Sequence, residues 1–224
     1  MSPYVDSSRA GPYAPVQGAR GRYEERPFDK KQTHPAPFAV TLEQKVNVPT
    51  MNQDGRFHHL RTDELQALEL PYKGKDLSMV VLLPRKVDGL PELEKQLTAD
   101  NLKKWLAGLR EGRVHVSLPR FECTSAFRLD LVLSEMGMPR AFRRGEADFS
   151  GMNGNKRLFV HAVVHKAFVT VNEVGTEAAG ATAVVINDAS KPPSFRADHP
   201  FLFLIRDNRS GSVLFLGRLT NPRP

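Results

Sequence analysis

The chain has one cysteine, Cys123, among 224 residues. An intrachain disulfide is therefore excluded. Cys123 reads as a small half-buried residue, because no His or Asn pattern beside it marks a nucleophile. Aromatics amount to 8%, with a single tryptophan, Trp105. No apolar stretch reaches membrane-spanning length, so no membrane partner is expected. The opening Met1-Ser2-Pro3-Tyr4-Val5-Asp6 has no basic patch followed by an apolar run, so no secretory leader is expected. Enzyme signatures are lacking as well: no Gly-x-Ser-x-Gly elbow, no phosphate-cradling glycine loop and no His-Glu-x-x-His. Histidines 34, 58, 59, 115, 161, 165 and 199 share no ligand spacing with Cys or carboxylates. His58 and His59 adjoin on a strand-like stretch, which turns them to opposite sides. No metal, no cofactor and no enzymatic activity are expected.

What is present is ordinary globular text, 40% hydrophobic and 25% charged, with 17 prolines and 16 glycines to punctuate many turns. The net charge of +7 comes from scattered bases rather than a run. It reads first as a solvated basic surface. A polyanion such as heparin is a secondary candidate partner, and nucleic acid is not expected.

Residues 1–22 are poor in large aliphatics and rich in Gly, Pro, Ser and Arg, which predicts a disordered or loosely attached segment. From Tyr23 to Phe38 the sequence reads as an extended loop anchored by Phe28 and Phe38. Lys45–Val48 and Leu65–Leu70 alternate as strands, and Pro71-Tyr72-Lys73-Gly74 is a turn. Leu77–Leu83 is a continuous apolar run, hence a strand buried on both faces. Leu90–Gln96 predicts a short helix. Thr98 is an N-cap for a second helix, whose Leu102, Trp105, Leu106 and Leu109 share one face. Val114–Leu118 alternates, with His115 on its polar phase. Ser125–Met136 reads as helix and Leu158–Val171 as a long β-rich run. Phe201–Ile205 and Val213–Leu216 flank the turn Asp207–Gly211, a hairpin. Strands joined by hairpins outnumber helices, which predicts an α+β fold with largely antiparallel sheets.

Residues 173–195 fit no core. Gly175, Ala178, Ala179, Gly180, Ala181 and Ala183 fill the first half, and Pro192 and Pro193 stand near the end. Alanine favours helix, Thr182–Ile186 favours strand, and the whole could be a linker. A loop of this length inside a compact domain is commonly functional. The small side chains also suit insertion between existing strands without overpacking.

Here the sequence resembles a known family. Glu173-Val174-Gly175-Thr176-Glu177-Ala178-Ala179-Gly180-Ala181-Thr182-Ala183 is similar to the hinge of an inhibitory serpin's reactive loop. Phe195-Arg196-Ala197-Asp198-His199-Pro200-Phe201-Leu202-Phe203 is similar to the strand that follows that loop. Leu68-Glu69-Leu70-Pro71-Tyr72, Ala147-Asp148-Phe149-Ser150-Gly151-Met152, His165-Lys166-Ala167 and Gly217-Arg218-Leu219-Thr220-Asn221-Pro222 resemble further serpin blocks, in serpin order. The match runs from about Glu24 to Asn221.

The resemblance implies a serpin-like multi-sheet fold over residues 23–224 with an exposed reactive-centre loop at about 174–195. It implies inhibition of serine proteases by a cleavable bait loop that inserts as a strand into the main sheet. Counting from the hinge as the family does, the attacked bond lies between Ala189 and Ser190. A small residue at Ala189 suits an elastase-like protease as partner, and Asp188 beside it disfavours some proteases. The hinge comprises Glu173, Gly175, Thr176, Glu177, Ala178, Ala179, Gly180, Ala181 and Thr182. Glu173 corresponds to a position that pairs with a base, for which Arg120 is in place, and His165 to the histidine beneath the opening of the sheet.

The resemblance covers only the C-terminal portion of a serpin. The helices and strands of the N-terminal half have no counterpart here, and Glu24 stands where the family has a tryptophan. The expectation is an impaired inhibitor with Leu158–Val171 as an exposed sheet edge. The alternatives are a non-inhibitory carrier or chaperone of the same fold, a polyanion binder, or a gene fragment. Family resemblance points to the extracellular space, and the want of a leader leaves the cytoplasm open.

Overall fold

The computed structural model describes residues 27–173 and 192–223. These form two compact units, one of residues 126–168 and one of residues 27–125 with 169–173 and 192–223. The fold is α+β and mostly antiparallel, as the punctuation by turns predicts.

The larger unit is built on an eight-stranded sheet in which β2, of 17 residues, and β5, of 10, are the long strands. Its strands are β1 (His34–Ala39), β2 (Lys45–Arg61), β3 (Leu65–Pro71), β4 (Leu77–Pro84), β5 (Arg110–Pro119), β8 (Ser194–Arg196), β9 (Phe201–Asp207) and β10 (Val213–Leu219). They run in the order β10-β9-β4-β3-β2-β5-β8, with β1 also on β2. Strand β2 is the connector. Its first residues pair with β1, its middle with β5 from Thr50 to His59, and its end with β3. The single parallel pairing among the described residues joins β8 to β5.

The apolar run of β4 is buried on both faces because alternate residues enter different cores. Val81 and Leu83 join Phe38, Leu118, Phe121 and Phe201 on one side. Val80 and Leu82 join Leu65, Leu204 and Trp105 on the other. Helices α1 (Leu90–Gln96) and α2 (Ala99–Gly108) supply that second core. Pro91 enters α1 in its first turn, where its missing N–H costs nothing. Thr98 caps α2, its hydroxyl accepting from Asn101 N at 3.2 Å, and Trp105 is buried. Strand β3 is buried on both faces rather than alternating: even Glu69 is inside, accepting from Arg206 Nη2 at 2.6 Å.

The segment expected as a loop up to Phe38 holds more structure. Residues Lys30–Gln32 form a 3-10 turn capped by Asp29, and His34–Ala39 is a strand. Pro35 and Pro37 fit there because, among the described residues, β1 pairs with β2 alone, so the missing N–H groups leave no ladder bond unmade. Phe28 and Phe38 are both buried, as expected of anchors.

A two-stranded ribbon of β6 (Phe121–Arg128) and β7 (Val164–Val171) leads into the smaller unit. The helix expected over Ser125–Met136 is shorter than its text. Ser125–Arg128 is the end of β6, and α3 spans only Asp130–Glu135. Leu129 N donates to Val163 O at 2.8 Å, extending the ribbon's bonding to the residue at which a helix would already be running. Likewise the β-rich run from Leu158 becomes strand only at Val164. Val160 N is taken by Ala141 O, in the turn Pro139–Phe142. A single-turn helix α4 (Ser150–Asn153) closes on Gly154, whose φ of 75° places it in the left-handed region open to glycine.

Candidate functional site

Two anchors frame the segment 174–191, which lies outside the described residues. With it lie Gly175, Thr176, Glu177, Ala178, Ala179, Gly180, Ala181, Thr182, Asp188, Ala189 and Ser190.

The first anchor follows β7. Glu173 is 3% exposed. Its carboxylate accepts from Arg120 Nε at 2.5 Å and from the Thr33 hydroxyl. Arg120 is delivered by Pro119, which ends β5, and its own N–H is fixed on Pro49 O at 2.8 Å. Thr33 is delivered by the 3-10 turn, which Asn52 Nδ2 ties down through Gln32 O at 2.9 Å. Three distant stretches thus converge on one carboxylate. Burial pushes the Glu173 carboxyl up, but the hydrogen bonds from Arg120 and Thr33, with Arg120's charge, outweigh it. The group sits below its ordinary value of 4.5 and is ionised at neutral pH.

The second anchor begins at Pro192. Pro193 O accepts from His115 N at 3.0 Å, and Ala197 N donates to Ser117 O at 2.9 Å. Between these bonds β8 runs parallel to β5, with Phe195 and Ala197 buried in the first core. Beyond β8, Asp198 O accepts from Ala39 N at 2.8 Å. The Asp198 carboxylate meets His199 Nδ1 at 2.8 Å, and the other ring nitrogen of His199 meets Pro84 O at 2.8 Å. The bond to His199 holds the Asp198 carboxyl below the usual carboxylate range. A three-residue strand is thus pinned by its buried Phe195, by Ala197 just after it and by the buried histidine behind it.

His165 stands in β7, exposed, its ring 5.2 Å from that of Phe127. In β7, seven of the eight residues keep some exposure, only Val171 being buried, and among the described residues β7 pairs with β6 alone.

Sequence reasoning missed Thr33, since nothing local marks a threonine as partner to a glutamate 140 residues away. It also missed a polar cluster on β2 and β5, Asn52, Asp54, His115 and Ser117, whose members meet only through strand register. Cys123 is half-buried, with its sulfur 3.8 Å from Arg218 O.

Comparison with known proteins gives this arrangement a lineage. The serpin (serine protease inhibitor) family model matches residues 20–222. Human serpin B3 is 45% identical over 211 residues, covering 91% of this chain and 53% of that protein. Horse leukocyte elastase inhibitor is 43% identical over 213 residues, covering 91% and 56%. The crystal structure of uncleaved ovalbumin superposes with a TM-score of 0.77 at 33% identity, covering 89% of this chain and 51% of that one. The chain spans about half the length of the curated relatives it matches. A family model that takes in both anchors and the whole segment between them leaves one conclusion: this chain belongs to the serpin family.

Proposed function

We propose that this chain presents a bait loop to a serine protease of elastase-like preference, with residues 174–193 as the bait. The observation that carries the reading is the pair of anchors. Glu173 is held by an ion pair and β8 by a parallel ladder, and between them lies a Gly- and Ala-rich stretch in whose first half Glu177 is the one long side chain. Relatives named leukocyte elastase inhibitor support the class of target.

In this reading the protease serine attacks the carbonyl carbon of Ala189. Its hydroxyl proton passes through the protease histidine to the departing amide nitrogen of Ser190, which leaves as a new amino terminus. The acyl-enzyme stays on Ala189. The hinge from Gly175 to Thr182 then adds to a sheet as a strand, and its small side chains make that addition sterically cheap.

A second reading rests on β7. Its exposed faces and single pairing give an inserted strand little sheet to join. In that reading the chain is a substrate, cut without capture.

The two separate on a denaturing gel after incubation with pancreatic elastase. A band at the summed masses, resistant to detergent and released by hydroxylamine, supports capture. Cleavage at Ala189–Ser190 with no such band supports the substrate reading. A chain left intact, or cut only outside 174–193, overturns both.

A further inference from the structure

The polar face of β2, β5 and β8 carries an arrangement that the bait-loop reading does not use. Antiparallel register sets Asp54 opposite His115 and Asn52 opposite Ser117. Parallel register then adds Ser194 beside His115 and Arg196 beside Ser117. Met51, just before Asn52, and the intervening Val116 and Phe195 point to the core, so the polar residues share the other face. They line a cleft of about 690 Å3.

His115 Nδ1 is 3.0 Å from Asp54 Oδ1. His115 Nε2 is 3.4 Å from Ser117 Oγ. The carboxylate holds a proton on Nδ1, which leaves the Nε2 lone pair facing the hydroxyl. This is the order of contacts, acid to imidazole to hydroxyl, that activates a serine nucleophile. Ser117 itself is buried at 8% exposure, while Arg196 stands in register with it, 57% exposed in its side chain and 3.7 Å from Asp198. Asn52 holds the hydroxyl in reserve. Its Nδ2 donates to Gln32 O and Thr50 O, so its Oδ1 accepts, from Ser117 Oγ at 2.7 Å.

We propose that Ser117, His115 and Asp54 form a nucleophilic site that takes small activated esters. Ser117 Oγ bonds to the acyl carbon as its proton moves to His115 Nε2. The carbonyl π pair moves onto oxygen, where the Arg196 guanidinium offsets the charge. Collapse breaks the bond to the leaving oxygen, which departs with the proton from Nε2. Water, giving its proton to the same nitrogen, then releases the carboxylic acid from Ser117 and restores the hydroxyl. The balance is ester plus water to acid plus alcohol.

Every atom of this site belongs to residues other than 174–191, so its fate is independent of the protease reading. The test uses the whole chain with a fluorophosphonate probe, peptide mapping of the adduct, and turnover of p-nitrophenyl acetate. The expected adduct sits on Ser117. Ester turnover should fall by about a hundredfold in His115→Gln, the scale of general-base assistance, and further in Ser117→Ala. Asn52→Ala, which frees the hydroxyl, should react severalfold faster than the unmodified chain. No adduct on the unmodified chain, an adduct on another residue, or an adduct confined to Asn52→Ala would each overturn the proposal. The last would mean that Asn52 keeps the hydroxyl from reacting.

Discussion

Leu83 and Leu131 share one side chain and opposite fates. Leu83 in β4 has no exposed surface, whereas Leu131 in α3 is 73% exposed. The difference is one of neighbours. Strand β4 has a strand on each edge and a hydrophobic cluster on each face, so an unbroken apolar run finds partners everywhere. Helix α3 is six residues long, and Leu131, Val132, Met136 and Met138 in and just after it keep between 48% and 76% of their surface. Apolar text makes a core only where the chain returns to cover it.

Truncation variants would break or sharpen that contrast. The largest expected effect is Leu83→Ala, about 3 kcal/mol of unfolding free energy for a fully enclosed leucine. Leu131→Ala should fall within about 0.5 kcal/mol of the unmodified chain. Urea unfolding of both variants measures the gap, and equal losses would show that α3 is buried in solution.

Next comes Gly217→Ala in β10. A Cβ there would lie 2.5 Å from the Phe203 ring, which is itself 2% exposed and has nowhere to move. Overpacking of this kind costs about 2 kcal/mol. In the smaller unit Gly151 has open space at its Cβ position, so the same exchange there should leave thermal melting unchanged.

Glu173→Gln removes the charge that joins Arg120 and Thr33, at a cost of about 1.5 kcal/mol for hydrogen bonds to a charged group. Because the folded carboxyl titrates below 4.5, its stabilisation is complete above that value and is lost as pH falls through the folded pKa. The difference between parent and variant should therefore stand at pH 7 and shrink once the pH falls below 4.5. A constant difference across that range would show that the ion pair is not its source.

The smallest effect is expected for Asp148→Asn. Its bonds to Lys156 at 2.8 Å and to Ser150 hold the carboxyl well below the usual carboxylate range. The pair is open to solvent, where side-chain entropy and salt offset the attraction. Thermal melting at physiological salt should not distinguish the variant from its parent at pH 7.

Much of this was legible in advance, for physical reasons that differ by element. The run of β4 announced burial on both faces because no polar residue interrupts it. Thr98 announced the start of α2, because a hydroxyl before a helical apolar spacing meets the first free amides. The hairpin at Asp207–Gly211 was legible from turn chemistry alone. The helix over Ser125–Met136 was not. Its first residues spend their backbone bonds on β7, some 40 residues later, and local propensity carries no trace of that competitor. The alternation read into Leu65–Leu70 failed likewise, because Glu69 enters the interior only with Arg206 to meet it.

The sequence by itself determined the family and the run of elements from β3 to β5. Both are written in local text: turn residues, apolar periods and the Gly- and Ala-rich segment with its flanking blocks. Only the tertiary structure decided which side chains meet. Glu173 with Arg120 and Thr33, and Asp54 with His115 and Ser117, are products of strand register and chain return. A shift of one residue in β5 would turn His115 and Ser117 into the core and undo the second of these.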